Sequence, residues 1–144
     1  MLVQQILKSK GNEGVITVAP DAHVSEAAQI LAAKKIGGVV VSTDGKTVEG
    51  ILSERDIVQA LAERGGLCLN ERVDAIMTPD PICCSRQDSS DAVLARMTEG
   101  RFRHMPVIED DKLAGIVTIG DMVKARLDEL AMEKSALEGM IMGH

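Results

Sequence analysis

At two places in the chain, a glycine and two apolar residues lead to a serine or a threonine, which is followed three residues later by an aspartate and two apolar residues. The first pair is Ser53 and Asp56, within GILSERDIV, and the second is Thr118 and Asp121, within GIVTIGDMV. A hydroxyl and a carboxylate at this spacing are typical of a helix capping box, in which each side chain satisfies a free backbone N–H. For any single motif of this kind, capping is a sufficient explanation.

The same arrangement also has the chemistry to bind a phosphorylated sugar. The free N–H groups at a helix N-terminus suit a phosphate. A carboxylate one turn into the helix accepts hydrogen bonds from two adjacent ribose hydroxyls, and a serine or threonine hydroxyl donates to a phosphate or sugar oxygen. Capping and binding are compatible, and the recurrence of the pair favours binding without excluding capping.

No constellation of residues indicates catalysis. The sequence contains no GxSxG motif, no P-loop and no Ser-His-Asp arrangement that can be placed. The three cysteines and three histidines do not have the spacing of a metal site. We therefore expect a binding module, not an enzyme, with neither a catalytic cofactor nor a metal.

The composition excludes other classes of function. The net charge of −6 argues against nucleic acid as a partner, because such binding depends on basic residues that neutralise phosphates. No apolar run is long enough for a membrane span, and no secretory signal is recognisable. An odd number of cysteines without C-x-x-C spacing indicates reduced thiols. We expect a cytoplasmic protein that does not enter a membrane.

The two motifs belong to two copies of one larger unit. Residues 15–42 align with residues 81–108 at an offset of 66, and the offset becomes 65 after a turn that is one residue longer in the first copy. Each copy reads as a strand (near 15–18 and 82–84), an amphipathic helix, a hairpin and a second helix. The sequence predicts a mixed α/β (α+β) fold of two repeated β-α-β-β-α units.

The chain divides into three parts on this basis. Residues 1–65 form a first unit with its lead-in segment, residues 66–127 a linker and a second unit, and residues 128–144 a C-terminal helical extension. Each unit is expected to have its own lead-in, because VDAI at 73–76 resembles VQQI at 3–6.

The C-terminal segment carries a heptad seam, with Lys134 in one of its places. The apolar members are Val123, Leu127, Leu130, Leu137 and Ile141. Such a stripe predicts a partner helix, and hence a homodimer. Two alternatives stay open: the tail packs on its own domain, or its methionine-rich end contacts another protein.

Several motifs in the same order resemble cystathionine β-synthase (CBS) domains, in the tandem arrangement called a Bateman module. These motifs are the two G-h-h-[ST]-x-x-D-h-h junctions, V-x-x-I-M-T-P-x-P at 73–81 and R-H-M-P-V-I at 103–108. The resemblance covers residues 1–127 and implies two units packed pseudo-symmetrically. It also implies flat homodimers that bind an adenine nucleotide (AMP, ADP, ATP, NAD(H) or S-adenosylmethionine) in clefts between the units.

A stand-alone CBS pair of this kind is expected to act as a regulatory sensor on an unknown partner protein in trans. Two other classes remain. One is a structural dimerisation or adaptor protein without a small-molecule ligand, and the other is an enzyme that acts on a nucleotide.

The resemblance implies roles for residues around the two motifs. Asp56 and Asp121 would hold ribose, with Ser53 and Thr118 beside ribose or phosphate. The full set of candidate ligand-binding residues is Thr17, Gly37, Gly38, Ser53, Arg55, Asp56, Cys83, Arg103, His104, Met105, Pro106, Thr118 and Asp121.

The less specific candidates have alternative interpretations. The pair Gly37-Gly38 would let a ligand approach the backbone closely, or is a plain helix-to-strand turn. The matching pair Arg103-His104 would neutralise a phosphate, or belongs to a solvated loop. Arg55 would reach a phosphate, or forms a surface salt bridge.

The predicted first strands and the base pocket complete the candidate site. Thr17 and Cys83 lie where the adenine of the family often meets the chain, with a purely structural place in the strand as the alternative. Without Trp or Tyr, an adenine would have to lie between aliphatic groups such as Met105, Val39 and Ile36. Because only the second copy has Arg103-His104, its site is expected to prefer the more compact, charged nucleotide.

Overall fold

The structure, a computed structural model, describes residues 1–11 and 14–141. The helices are α1 (Val3–Ser9), α2 (Val24–Lys34), α3 (Glu54–Arg64), α4 (Val73–Ile76), α5 (Ser90–Gly100) and α6 (Ile119–Ile141). The strands are β1 (Thr17–Val18), β2 (Gly38–Val41), β3 (Gly50–Ser53), β4 (Thr78–Pro79), β5 (His104–Glu109) and β6 (Lys112–Thr118). A 3-10 helix, Gly65–Asn70, follows α3. The predicted mixed α/β fold of two repeated units is confirmed.

The first unit forms as its hydrophobic pattern requires. The apolar residues of α2 at helical spacing are buried against apolar residues of β2 and β3. Strands β2 and β3 pair antiparallel, with Gly38 opposite Ser53, and β1 lies parallel to β2. Gly45, in the turn between β2 and β3, has a φ of 76°, which glycine adopts without strain. The hairpin therefore delivers Ser53 directly to the start of α3.

The second unit repeats this hairpin but not the first strand. Strands β5 and β6 pair antiparallel, with His104 opposite Thr118. The prediction of a strand near 82–84 is wrong, because only one parallel bridge forms there, between Cys84 and Val107. To extend this pairing into a parallel ladder, the carbonyl of Ile82 would have to accept a hydrogen bond from the N–H of residue 106. Residue 106 is a proline, which has no N–H.

The lead-in segments are exchanged between the units. Val3 and Ile6 of α1 are buried in the core of the second unit, with Val93, Met97 and others. Val73 of α4 is buried in the core of the first unit. Strand β4, which also precedes the second unit in sequence, pairs with β3 of the first. The lead-in that precedes each unit in sequence therefore packs on the other unit. The division of the chain into residues 1–65, 66–127 and 128–144 stays a proposal.

Helix α6 continues through the proposed boundary at residue 127 without interruption. It begins at Ile119, directly after β6, and runs for 23 residues to Ile141. Only Met122 and Ala125 of this helix are buried. No helix among the described residues is both long and apolar enough to cross a membrane.

Candidate functional site

A cleft of about 1530 Å³ opens between the two units, and both Ser/Thr–Asp motifs line it. The motifs come to the same cleft because each hairpin ends at its surface and the helix that follows begins there. We call the part around Ser53, Asp56 and Thr78 the first subsite. The part around Thr118, Asp121 and Lys10 is the second subsite.

In the first subsite, Ser53 and Asp56 form the predicted capping box. The Ser53 N–H donates to Asp56 Oδ2 at 2.9 Å, and the Asp56 N–H donates to Ser53 Oγ at 3.3 Å. The hydroxyl of Thr78 donates to the other carboxylate oxygen, Asp56 Oδ1, at 3.3 Å. Capping thus uses one oxygen of the carboxylate, and the second oxygen has a neutral partner at the cleft surface.

In the second subsite, Thr118 and Asp121 make the matching bonds. The Thr118 N–H donates to Asp121 Oδ2 at 2.9 Å, and the Asp121 N–H donates to Thr118 Oγ1 at 3.1 Å. Lys10, at the end of α1, donates from Nζ to the same Oδ2 at 2.8 Å and to the Ile116 carbonyl at 2.9 Å. The second carboxylate is therefore held by an ammonium group.

The ring of His104 crosses from the second unit to the first and lies against Gly37 and Gly38. A Cβ at Gly38 would come 3.0 Å from Cδ2 and from Nε2 of this ring, and a Cβ at Gly37 would come 2.8 Å from Glu54 Oε1. The glycines therefore make room for side chains at the unit interface. Their expected role in admitting a ligand to the backbone stays a proposal.

The surroundings of His104 disfavour the charged form of its imidazole. Burial lowers the pKa of His104 below its usual range, and the nearby Arg103 and Lys10 add to this shift. Glu54 and Asp121 act on the same pKa in the opposite direction. His104 thus belongs to a packed and charged cluster, whereas Arg103 itself is exposed.

We expect Gly38→Val to lower the free energy of unfolding by about 1–3 kcal/mol, because the new side chain overpacks the space of the His104 ring. Urea denaturation followed by circular dichroism measures the loss. The double variant Gly38→Val/His104→Ala should recover a substantial part of it, since neighbouring substitutions are not additive. A double variant less stable than Gly38→Val would contradict this packing.

The cleft is positively charged, although the protein is acidic. Seven Lys or Arg side chains line it among the described residues, against four Asp or Glu side chains. The basic residues are Lys8, Lys10, Lys35, Arg55, Arg86, Arg101 and Arg103. The acidic ones are Glu54, Asp56, Asp80 and Asp121. The chain as a whole has a net charge of −6, so the cleft concentrates charge of the opposite sign.

Nine of the thirteen candidate residues line this cleft. They are Gly37, Gly38, Ser53, Arg55, Asp56, Arg103, His104, Thr118 and Asp121. Arg55 also joins the units, because its Nη1 donates to the Arg101 carbonyl at 3.4 Å. Among the described residues, no group of three or more His, Cys, Asp or Glu side chains is placed to hold a metal ion.

Four candidates lie away from the cleft. They are Thr17, Cys83, Met105 and Pro106, and the residues Ile16 and Ile82, next to the first two, line it instead. Met105 and Val39 are buried in the two cores at 0% and 1% exposure. This corrects the expected aliphatic wall, in which only Ile36 reaches the cleft.

Sequence reasoning missed Lys10, Glu54, Thr78 and Phe102, all of which line the cleft. The sequence repeat could have indicated Phe102, because the offset of 66 places it at the position of Ile36. It contributes the one aromatic side chain of the sequence to the lining of the cleft. Lys10 and Thr78 carried no such signal, because their positions depend on the exchange of the lead-in segments.

The structure consists of two repeated α/β units that exchange their lead-in segments. The units share one cleft, and one helix from each unit begins beside it. This arrangement defines a tandem, pseudo-symmetric repeat protein. The family model of the CBS domain matches residues 8–63 and 73–128. The chain belongs to the CBS domain family, as a tandem pair.

Solved structures of CBS proteins superpose well on this chain. The CBS-domain containing protein ATU1752 from Agrobacterium tumefaciens has 45% identity and a TM-score of 0.83, over 88% of this chain and 99% of that one. PAE2072 from Pyrobaculum aerophilum, complexed with AMP, has 26% identity and a TM-score of 0.77, over 92% and 99%. The CBS domain pair of protein MJ0100, in complex with 5-methylthioadenosine and S-adenosyl-L-methionine, has 26% identity and a TM-score of 0.78, over 90% and 98%.

Curated relatives are longer than the region of similarity. The chain spans 39% of the length of one relative at 30% identity and 76% of another at 34% identity. The similarity therefore concerns the CBS pair itself.

Proposed function

We propose that this chain is a non-enzymatic regulatory module that binds adenine nucleotides in the cleft between its two CBS units. The observation that carries the proposal is the charge of the cleft: seven basic against four acidic side chains in a protein of net charge −6. A cleft of this sign concentrates anionic ligands and stabilises their phosphates. The helix N-termini beside the cleft add free backbone N–H groups, which also favour anions.

The adenosine part of the ligand is supported by relatives. PAE2072 is complexed with AMP, and the CBS pair of MJ0100 with 5-methylthioadenosine and S-adenosyl-L-methionine. In this chain Asp56 and Asp121 accept the ribose hydroxyls, and Ser53 and Thr118 lie beside ribose or phosphate. AMP, ADP, ATP and NAD(H) are the ligands to test.

The output of the module is proposed to be a change in association. Helix α6 exposes the heptad residues Leu127 and Leu130 at 61% and 45%, and Leu137 and Ile141 at 59% and 85%. An exposed stripe of this kind supports a homodimer, and action on a partner protein in trans. The free thiols of Cys68, Cys83 and Cys84 support a reducing, cytoplasmic location.

The test uses the missing aromatics. Without Tyr or Trp the protein absorbs very little at 280 nm, so a co-purified nucleotide dominates the ultraviolet spectrum. We expect denaturation to release a 260 nm absorber that mass spectrometry identifies. For protein purified without ligand, added nucleotide at 100 times its Kd should raise stability by about 2.7 kcal/mol.

Two other results would point to the remaining classes. An adaptor whose motifs only cap helices would release no absorber, and no nucleotide would shift its melting temperature. An enzyme would convert ATP or NADH to products on incubation, which the same mass spectrometry detects.

A further inference from the structure

The two subsites differ in the group that holds their carboxylate. Asp56 accepts from the neutral hydroxyl of Thr78, at 3.3 Å. Asp121 accepts from the ammonium group of Lys10, at 2.8 Å, and the side chains of this ion pair are 35% and 21% exposed. Both partners come from lead-in segments, so the exchange of these segments gives each subsite its own chemistry.

Matched positions of the two copies extend this difference. Lys10 and Asp80 match when Val3 is aligned with Val73, and both line the cleft. Arg103 matches Gly37, so the second copy has a further cation where the first has no side chain.

Two pairs at the start of the helices also differ in charge. Ile119 matches Glu54, so the second copy lacks an acidic group at the first helical position. Arg55, which matches Gly120, adds a positive charge to the first copy, but its guanidinium donates to the Arg101 carbonyl. The second subsite is therefore the more positive of the two.

The Lys10–Asp121 ion pair imposes a condition on any ligand whose ribose binds Asp121. Two ribose hydroxyls that donate to this carboxylate need both of its oxygens, and Oδ2 already accepts from Lys10 and from the Thr118 N–H, so the ribose competes with Lys10. An ammonium group that loses this bond needs a new partner. A phosphate on the same ligand supplies that partner. A nucleoside without phosphate does not, so it must leave the lysine with only the Ile116 carbonyl and water, or keep the ion pair at the expense of the ribose contacts.

We infer that Lys10 makes the second subsite selective for phosphorylated adenine ligands over unphosphorylated ones, by exchanging Asp121 for the phosphate. The first subsite, with Thr78 in place of a cation, discriminates less between AMP and adenosine. This inference rests on the proposed function, and it assigns to Lys10 the selectivity of one of the two subsites.

The test is a calorimetric titration of ligand-free protein with AMP and with adenosine. The Asp56→Ala variant restricts binding to the second subsite, and in it AMP should bind more tightly than adenosine. Adding Lys10→Met should weaken AMP binding about 10–100-fold and leave adenosine binding equal or tighter. Lys10→Arg should retain the preference, because it retains the charge.

The matched control is Lys112→Met in the same background. It removes the same charge from the second unit, but Lys112 is exposed on β6, does not line the cleft and makes no ion pair with Asp121 among the described residues. Lys112→Met should change the ratio of AMP to adenosine affinity less than threefold. An equal effect of both lysines, or an equal loss of AMP and adenosine with Lys10→Met, would overturn the inference.

The wild-type titration separates the two levels of failure. If the unmodified protein binds none of AMP, ADP, ATP, NAD(H) and adenosine, the proposed function itself fails. If it binds AMP and Lys10→Met leaves the ratio of AMP to adenosine affinity unchanged, or if it binds only another nucleotide, the role of Lys10 is wrong. Circular dichroism melting of each variant checks that the fold is retained, and Lys10→Gln replaces Lys10→Met if the latter does not fold.

Discussion

Replacement of both Asp56 and Asp121 with alanine is expected to abolish nucleotide binding while the protein still folds. Each carboxylate is proposed to accept two ribose hydroxyls, and a hydrogen bond to a charged group contributes about 1.5–3 kcal/mol. Loss of both bonds at one subsite should weaken binding there by at least about 100-fold. Each substitution also removes one partner of a capping box, which costs about 1 kcal/mol of stability.

Calorimetry and thermal melting measure these two effects separately. Ser89→Ala is the matched control, because Ser89 caps α5 by accepting from the Ala92 N–H at 3.1 Å and does not line the cleft. It should cost a similar amount of stability and leave the nucleotide affinity unchanged. If the double aspartate variant bound nucleotide as the wild type does, the two motifs would be helix caps and nothing more.

The second large effect is expected on α6, where Leu127→Lys combined with Leu130→Lys should convert the proposed homodimer to a monomer. Both side chains are exposed in the single chain, at 61% and 45%, so their replacement costs the isolated fold little. In a dimer they would lie in the centre of a helix–helix seam, where two lysines per chain would be desolvated and would repel their counterparts.

Analytical ultracentrifugation over a range of concentrations reports the change of mass. Met132→Lys is a suitable control, since Met132 is 70% exposed on the same helix but lies outside the heptad seam. It should leave the mass unchanged. A monomeric wild-type protein, or a Met132→Lys variant that alone dissociates, would show that the seam is not the interface.

Local patterns predicted most of the fold because each depends on residues close in sequence. The spacing of apolar residues identified the amphipathic helix α2, and the hairpin of β2 and β3 was predicted after it. Ser53 and Asp56 indicated both the start of α3 and its capping box. The repeat then carried these predictions to the second copy, where only the strand near 82–84 failed.

Contacts between distant segments could not be predicted in the same way. Periodicity tells which face of α1 is buried but not which core buries it, so the exchange of the lead-ins and the place of Lys10 were out of reach. The contact of His104 with Gly38 has the same origin, because it depends on how two units pack. The burial of Met105 shows the converse: this residue follows the cleft residue His104 directly but faces the other side of its strand.

The exchange of lead-ins makes the tandem chain the covalent counterpart of a segment-swapped pair. Two separate copies of one repeat, each covering the core of the other, would satisfy the same kind of contacts, whereas one copy alone would leave its core open. Two identical copies would, however, place the same residue on both sides of the pseudo-symmetry axis. His104 has room there because its counterpart is Gly38, and a Cβ at that position would already come 3.0 Å from its ring. Fusion of the repeats thus permits an asymmetric centre, and with it two binding places of different character in one chain.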